Sequence, residues 1–376
     1  MAELTLRSDG RATTWRTGWI ISRRDDLLWL IGSVGASYAM LLVYRLLGVP
    51  ALLLIVIWVM LFDGPHILGT ATRTYFDSEM RSRQAKLLYG SLGLFAIGPA
   101  LAALPHLVSA NANAPHLKLI LGRASVAFIF AASMWAYYHI VMQHYGIMML
   151  YKNKNGDLAP DDNASDRYFL FAMLLFPFVR YMLEVPDALE MWPVLPTTAV
   201  RRGAELASLA AAVIACGAFA RRQFIHLKRG EPVILPKLLF LAAIVPMHWA
   251  VLMGPLPTNV MVPILTISHN IQYQRLIWFH NKNKYAGDTA PQRYGWAALI
   301  SRNVFVYYII GVIFAAYRLP NAFYPDSDVL IGFLWGFSLV HYFLDGRIWQ
   351  VRRSPELRDV LRLSAVHGRL ARAVGP

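Results

Sequence analysis

The stretch "LVHYFLDGRIWQVRR", residues 339–353, places His341 and Asp345 four residues apart in a largely apolar run. Residues with this spacing lie on one face of a helix, so Asp345 can share a metal ion with the imidazole or accept a hydrogen bond from it. An ionisable group inside a bilayer costs several kcal/mol and usually marks a function. The pair therefore indicates a functional site if other segments bring similar groups to the same depth.

The composition is typical of an integral membrane protein. Of 376 residues, 57% are hydrophobic and 15% are charged, and the mean hydropathy is +0.42. The net charge of +14 is distributed over short segments between apolar runs, which favours membrane topology over a nucleic-acid partner. The one cysteine, Cys216, excludes a disulfide within the chain and is interpreted as a packing residue.

Ten apolar segments are long enough to cross a bilayer as helices. Lys and Arg are concentrated in alternate connections, which predicts that both termini are cytoplasmic. We expect the membrane to be a bacterial inner membrane. We expect an all-α bundle in a single domain over residues 26–352, with a cytoplasmic N-terminal segment (1–25) and a basic cytoplasmic tail (353–376). The predicted spans are 26–46, 51–72, 87–107, 119–150, 167–183, 203–220, 237–254, 258–280, 297–317 and 327–349.

Four of these spans carry a histidine at one depth. Counting from the first cytoplasmic Lys or Arg at about 1.5 Å per residue places all four roughly 9–12 Å inside the inner boundary. Neutral imidazole is a ligand of iron, copper and zinc, so the coincidence predicts a shared metal centre. Its predicted ligands are His66, His144, His269 and His341.

Two further histidines are candidate ligands. His139 lies five residues before His144, about 140° around an ideal helix, so without a π-bulge only one of them can bind a given ion. The other would belong to a second site, and His248, which follows Pro246, could join either. His280 is expected at the headgroup level, and four histidines are expected in solvated loops or the tail: His106, His116, His226 and His367.

Carboxylates and a tyrosine accompany the ligand candidates. Asp63 precedes His66 by three residues in "DGPH", where Gly64 and Pro65 predict a kink. Asp63 and Asp345 are candidate ligands or orienting groups, and Tyr273, with Gln272, is expected to line the substrate side of the site.

The motifs "GPHILGTATRTYFD", "YYHIVMQHYGIMMLY", "ISHNIQYQ" and "VHYFLDGRIW" resemble, in order, the histidine motifs of the Brp/Blh family. Members of that family are bacterial and archaeal membrane β-carotene 15,15'-dioxygenases. The resemblance implies non-haem iron bound by histidines, O₂ as co-substrate and a lipophilic polyene substrate. Tyr273 stands where the family has a second histidine, so a four-histidine site requires His139 or His248 as a substitute.

The leading hypothesis is a membrane-embedded oxidoreductase with non-haem iron, one ion or two, acting with O₂ on a lipophilic substrate. Copper and zinc stay open as the metal, because imidazole binds all three. The partners are membrane lipids and, where the reaction needs one, an electron donor. Three alternatives stay open: a di-metal lipid desaturase or hydroxylase, a transporter that uses the same polar groups, and haem held by opposed histidines.

Overall fold

The computed structural model describes residues 3–8, 11–109, 115–320, 324 and 327–363, and they are mostly helical. Three short strands, β1 (Glu3–Ser8), β2 (Arg11–Arg16) and β3 (Val233–Ile234), form one small sheet. The helices are α1 (Arg23–Asp25), α2 (Val34–Leu47), α3 (Ala51–Trp58), α4 (Gly64–Arg73), α5 (Ser78–Arg83), α6 (Ala85–Ser91), α7 (Leu94–Ser109), α8 (Pro115–Asn155), α9 (Pro160–Glu184), α10 (Pro186–Glu190), α11 (Thr198–Arg229), α12 (Leu235–Leu252), α13 (Thr258–Lys284), α14 (Ala290–Tyr294), α15 (Trp296–Ile300), α16 (Val304–Phe314), α17 (Asp328–Ile348) and α18 (Pro355–Val360).

The polar N-terminal segment contributes two strands to the small sheet. β1 pairs antiparallel with β2, and β2 pairs parallel with β3 through Trp15 and Arg16. Arg16 donates a hydrogen bond to the Asn155 carbonyl at 2.6 Å, which ties this sheet to the end of α8. In the predicted basic tail, α18 lies in the described part, whereas residues 364–376 lie outside it.

Seven helices in the described part of the chain are long and apolar enough to cross a membrane. They coincide with seven of the ten predicted spans, within five residues at every end except the last of Thr198–Arg229, which lies nine residues beyond the predicted end at 220. The protein is thus consistent with an integral membrane protein. Helical segments that follow one another closely along the chain, such as α3 and α4, together form one candidate span. The seven are Arg23–Leu47, Ala51–Arg73, Ala85–Leu104, Gly122–Asn155, Thr198–Arg229, Leu235–Leu252 and Asp328–Ile348.

The other three predicted spans are not confirmed. Helices α9 and α13 cover two of them, but polar side chains lower their hydropathy. α13 packs against α2, α3, α4, α8 and α12, so it is largely shielded from lipid and can carry polar residues. The third segment, 297–317, is divided: α15 ends at Ile300 and a shorter apolar helix begins at Val304.

The predicted kink at "DGPH" is present as a wider turn in the helix. Residues Val59–Asp63 form a π-helical turn, in which the Gly64 N–H donates to the Val59 carbonyl, five residues back. Pro65 has no N–H to offer the Leu61 carbonyl, and the Tyr308 hydroxyl donates to that oxygen instead. Gln274 donates to the neighbouring Phe62 carbonyl at 2.9 Å. The turn is thus stabilised from outside, immediately before His66.

Small residues bring the site helices close together. Gly98 on α7 and Gly332 on α17 face each other so closely that a Cβ added to Gly332 would lie 2.6 Å from the Gly98 carbonyl carbon. A Cβ on Gly64 of α4 would likewise lie 2.3 Å from the Ala315 Cβ. Close backbone approach of this kind is typical of helix contacts in membranes. These contacts fix α4 and α17, which carry His66 and His341.

Candidate metal centre

Three histidines from three helices converge inside the bundle. His66 on α4, His139 on α8 and His341 on α17 are all buried, and each offers a ring nitrogen within 4.8 Å of the other two. The Nε2 atoms of His66 and His341 are 2.8 Å apart. The residues belong to segments far apart in sequence, so the tertiary packing of α4, α8 and α17 creates the cluster.

The spacing of these nitrogens fits one metal ion. Imidazole nitrogens bind first-row metals at about 2.1 Å, so two ligands of one tetrahedral ion lie about 3.4 Å apart. The nitrogens in the cluster need only small shifts to reach that distance. Nε2 of His139 has no hydrogen-bond partner among the described residues, and the same holds for Nδ1 of His66. Buried polar atoms without partners are uncommon in proteins, and a cation would satisfy at least one of them.

A chain of hydrogen bonds orients His341. The Thr70 hydroxyl donates to Asp345 Oδ1 at 2.7 Å, so its oxygen accepts from Nδ1 of His341 at 2.6 Å. Tyr273 also donates to Asp345 Oδ1, at 2.6 Å. With its proton held on Nδ1, His341 presents the Nε2 lone pair to the cluster. A carboxylate that fixes the tautomer of a histidine is the usual support of a metal ligand.

His269 of α13 lies next to the three converging histidines. Its ring centroid is 4.8 Å from that of His66 and 5.2 Å from that of His139. Gln143 donates to the His269 carbonyl at 2.8 Å and links α8 to α13 at this level. His269 is thus placed in the predicted layer, beside the cluster.

The structure exchanges the two histidines of α8. The sequence pattern assigned His144 to the shared layer, whereas the structure brings His139 to His66 and His341. His144 is directed away from them, and its ring centroid is 5.2 Å from that of His248 and 6.2 Å from that of His269. The angular argument stands, because the two side chains do leave the helix towards different neighbours.

Three other predicted site residues have contacts that differ from the expectation. Asp63 does not contact His66 in a hydrogen bond; it forms an ion pair with Arg318, whose Nη2 lies 3.4 Å from its Oδ2. Tyr273 is fully buried in the network with Asp345 and Thr70 and is not part of the cavity wall. Gln272 also points elsewhere, and donates to the Leu30 carbonyl at 2.8 Å.

The remaining predictions on single residues have mixed outcomes. His280 is buried and lies at hydrogen-bond distance from Asn281, and His226 lies between Asp162 and Glu231 in place of a solvated position. The side chains of His106 and His116, and all of His367, lie outside the described residues. Cys216 is exposed on α11, so its interpretation as a packing residue is wrong.

Two residues that contribute to the site were missed in the sequence. Thr70 follows His66 by four residues on the same helix face, which was a usable signal. Arg318 belongs to a short 3₁₀ turn, Ala315–Arg318, after α16, and its contact with Asp63 joins segments 255 residues apart. No local pattern indicates such a pair.

An apolar cavity of about 350 Å³ adjoins the cluster. Its volume is within the range of small-molecule sites, about 300–1,000 Å³. From His269 it continues to Thr258 at the start of α13, which is about 17 Å along that helix. Asp63 and Arg318 form a charged part of a wall that is otherwise mostly apolar. Four histidines line the cavity: His66, His139, His269 and His341.

Fold and site together define a helical protein whose described residues include seven helices of membrane-spanning length and a buried histidine triad that could bind a metal ion. Comparison with protein-family models, curated proteins and solved structures found no match to the chain. The function is therefore inferred from the chemistry of the site.

Proposed function

We propose that the protein is a membrane-embedded, metal-dependent oxidoreductase that uses O₂ on a lipophilic substrate. His66, His139 and His341 would hold a non-haem iron ion. The observation that carries this proposal is the convergence of three uncharged ligands on one wall of an apolar cavity. A ligand set of this size leaves coordination positions open for O₂.

The side chains around the site would bind the substrate, orient the metal ligands and exclude water from the cavity. The apolar wall of α8, α13 and α17 would accommodate a hydrocarbon substrate, such as a polyene, next to the three histidines. Thr70 and Asp345 keep His341 in the ligand tautomer, and the carboxylate compensates part of the cation's charge in a medium of low dielectric constant. When bound, iron would supply the activation of O₂.

The distance between the ligand nitrogens disfavours haem at this position. Two axial nitrogens of one haem lie about 4 Å apart, on opposite sides of the porphyrin plane. The Nε2 atoms of His66 and His341 are only 2.8 Å apart. This separation is nearer to the value of about 3.4 Å for two ligands of one tetrahedral ion than to the value for haem.

The direct test is metal analysis of the full-length protein. The protein is expressed in cells grown with added iron and purified in detergent without a polyhistidine tag. We expect His341→Ala and His139→Ala each to lose one equivalent of iron relative to the wild type. His280→Ala is the matched control, since it removes a buried histidine outside the cluster and should keep the wild-type content. Unchanged iron in both cluster variants would contradict the proposal.

Oxygen consumption tests the reaction class separately. We expect the iron-loaded wild type to consume O₂ when a detergent-dispersed polyene such as β-carotene is added, and His341→Ala to show the background rate. The oxygenase assignment would be contradicted if the protein binds iron but no polyene or unsaturated lipid in a panel causes O₂ uptake. The protein would then be a metal-binding protein of another class.

A further inference from the structure

Besides His280, three buried histidines of the described chain lie outside the triad: His144, His248 and His269. We propose that they form a second metal site beside the first, with His144 and His248 as its principal ligands and His269 between the two sites. The second site is argued from its own side chains and does not depend on the oxygen chemistry proposed above.

The three rings lie close together between α8, α12 and α13. The centroid distance is 5.2 Å for His144 and His248 and 6.2 Å for His144 and His269. His144 and His248 are 0% exposed, and His269 is 2% exposed. His269 also contacts His66 and His139, so its ring lies between the triad and the His144–His248 pair.

The ring nitrogens of this group are without hydrogen-bond partners. Within the described ranges, no partner is found for Nδ1 and Nε2 of His144, Nε2 of His248 or Nδ1 of His269. Buried polar atoms are nearly always paired, so four such atoms in one contiguous cluster require an explanation. A metal ion would accept one lone pair from each of the three rings, which accounts for three of the four atoms, and it requires neutral imidazole, the form favoured in an apolar interior.

His248 is held in the tautomer that a metal ligand needs. Its Nδ1 lies 3.0 Å from the Ile244 carbonyl, one turn back on the same helix. A carbonyl oxygen only accepts, so Nδ1 carries the proton and Nε2 carries the lone pair. Hydrogen bonding of Nδ1–H to a backbone carbonyl is a common support for metal-binding histidines.

Gln272 lies beside His144, but its Oε1 and both ring nitrogens of His144 have no hydrogen-bond partner among the described residues. The Gln272 amide nitrogen donates to the Leu30 carbonyl at 2.8 Å and to Ser33 Oγ at 3.1 Å, which fixes the orientation of the amide. The amide oxygen is left on the side of His144. It can accept a hydrogen bond from one ring nitrogen of His144 and leave the other for a metal ion.

An ion-pair cluster fixes the helices that carry the two ligands. Lys152 of α8 and Lys237 of α12 both bind Asp166 of α9, and all three residues are buried. The Lys237 Nζ to Asp166 Oδ2 distance is 3.0 Å. Because the cluster joins α8 to α12, it holds His144 and His248 at a constant separation.

The test is the stoichiometry of Co²⁺ binding to the full-length protein in detergent, purified without a polyhistidine tag and stripped of metal. Bound Co²⁺ is counted by mass spectrometry after desalting and followed by its visible absorption.

We expect two equivalents for the wild type and for the control His280→Ala. We expect one equivalent for His248→Ala, His248→Gln and His341→Ala, and none for His248→Ala with His341→Ala. Circular dichroism and gel filtration identify folded variants, and His248→Gln replaces His248→Ala if the latter is misfolded.

The possible results separate the two sites. Two equivalents in both His248 variants, or one equivalent in the wild type that both variants keep, would overturn the second site and leave the triad intact. One equivalent in the wild type that both His248 variants lose and His341→Ala keeps would support the second site and contradict the triad. A wild type that binds no Co²⁺ would overturn both.

Discussion

His341 depends on a hydroxyl group to present its Nε2 atom. Thr70 accepts from His341 Nδ1 and donates to Asp345, so it connects the imidazole to the carboxylate. The direct distance from His341 Nδ1 to Asp345 Oδ1 is 3.9 Å, too long for a hydrogen bond. Without the hydroxyl, neither the ring orientation nor the tautomer of His341 is fixed.

We predict that Thr70→Val lowers the affinity for the first metal ion by about 10- to 100-fold, the usual effect of removing a group that supports a ligand. Valine keeps the branched shape of threonine and removes only the hydroxyl. The affinity is measured by competition with a coloured chelator.

The control for this variant is Thr74→Val. Thr74 is also fully buried on the same segment, but its hydroxyl donates to the Thr70 carbonyl and does not reach the histidines. Thr74→Val loses one buried hydrogen bond, about 1 kcal/mol of stability, whereas Thr70→Val loses at least two, so the metal affinities are compared for variants shown to be folded. Equal metal affinities of the two variants would show that the Thr70 hydroxyl does not support His341.

The sequence allowed the depth of the histidines to be predicted, but not the direction of each. Depth was predicted from the constant rise of a helix, and the rings of His269 and His341 do lie 4.8 Å and 4.4 Å from that of His66. Direction is normally predicted from an apolar face, and a membrane helix such as α8 is apolar towards both lipid and interior. His139 and His144 therefore could not be assigned to their partners from the sequence.

At the scale of helices, the α7–α17 contact determines where His341 lies. Gly98 and Gly332 allow the two backbones to touch, and Gly336 is equally close to Phe95, whose Cδ1 would lie 2.4 Å from an added Cβ. Any side chain at Gly332 must push α17 away from α7. The contact therefore couples the packing of the bundle to the geometry of the metal site.

We predict that Gly332→Val lowers the thermal midpoint of the detergent-solubilised protein and reduces metal binding. Overpacking costs about 1–3 kcal/mol where side chains can adjust, and here the obstructing atoms belong to the Gly98 backbone. Gly217→Val on α11 is the control, because an added Cβ there meets no atom within 4 Å. The prediction fails if both variants unfold at the same temperature.

The π-helical turn before His66 makes a second prediction at this scale. Gln274 donates to the Phe62 carbonyl in that turn, so Gln274→Leu leaves a partly buried carbonyl without its donor. We expect a loss of about 1 kcal/mol in unfolding free energy and weaker binding at His66. Gln350→Leu removes a hydrogen bond of the same length to the Gly346 carbonyl on the exposed surface and should change neither quantity.

The apolar composition of a span was predictable where a helix faces lipid and less so elsewhere, although the predicted span 203–220 is shorter than α11 at both ends. The long α11 exposes Leu206, Val213 and Ile214, and its apolar sequence indicated a span directly. α13 lies inside the bundle and holds Asn270 and Gln272 there, so its composition departs from that of a lipid-facing span. Pairs such as Asp63 and Arg318 arise only after the helices pack, and composition gives no indication of them.

At the scale of the whole molecule, the described residues expose many large apolar side chains, which is consistent with a lipid environment. Leu46, Leu52, Phe305 and Ile313 all expose more than 60% of their surface, together with much of α11. Exposed apolar area of this extent on a chain with seven apolar helices indicates contact with lipid. Cys216, the one cysteine of the chain, lies on the exposed side of α11.

Cys216 allows a test of whether the exposed surface of α11 contacts lipid. We predict that a membrane-impermeant maleimide leaves Cys216 unlabelled in intact and in broken cells, and that labelling occurs only after the protein is dissolved in denaturing detergent. Labelling in broken cells would place the centre of α11 in water and contradict the assignment of Thr198–Arg229 as a span.

Whether α13 crosses the membrane decides the topology of the C-terminal half. Leu195 lies in the connection before α11, and Asp288 lies in the connection after α13; both are exposed. If only α11 and α12 cross, the two positions are on the same side of the membrane. If the shielded α13 also crosses, they are on opposite sides.

The distribution of Lys and Arg predicts Leu195 outside and Asp288 in the cytoplasm. In a Cys216→Ser background, we therefore expect the impermeant maleimide to label Leu195→Cys in intact cells and Asp288→Cys only after the cells are broken. Labelling of both in intact cells would mean that α13 returns without crossing, and that the histidine layer is not at a common depth in the bilayer.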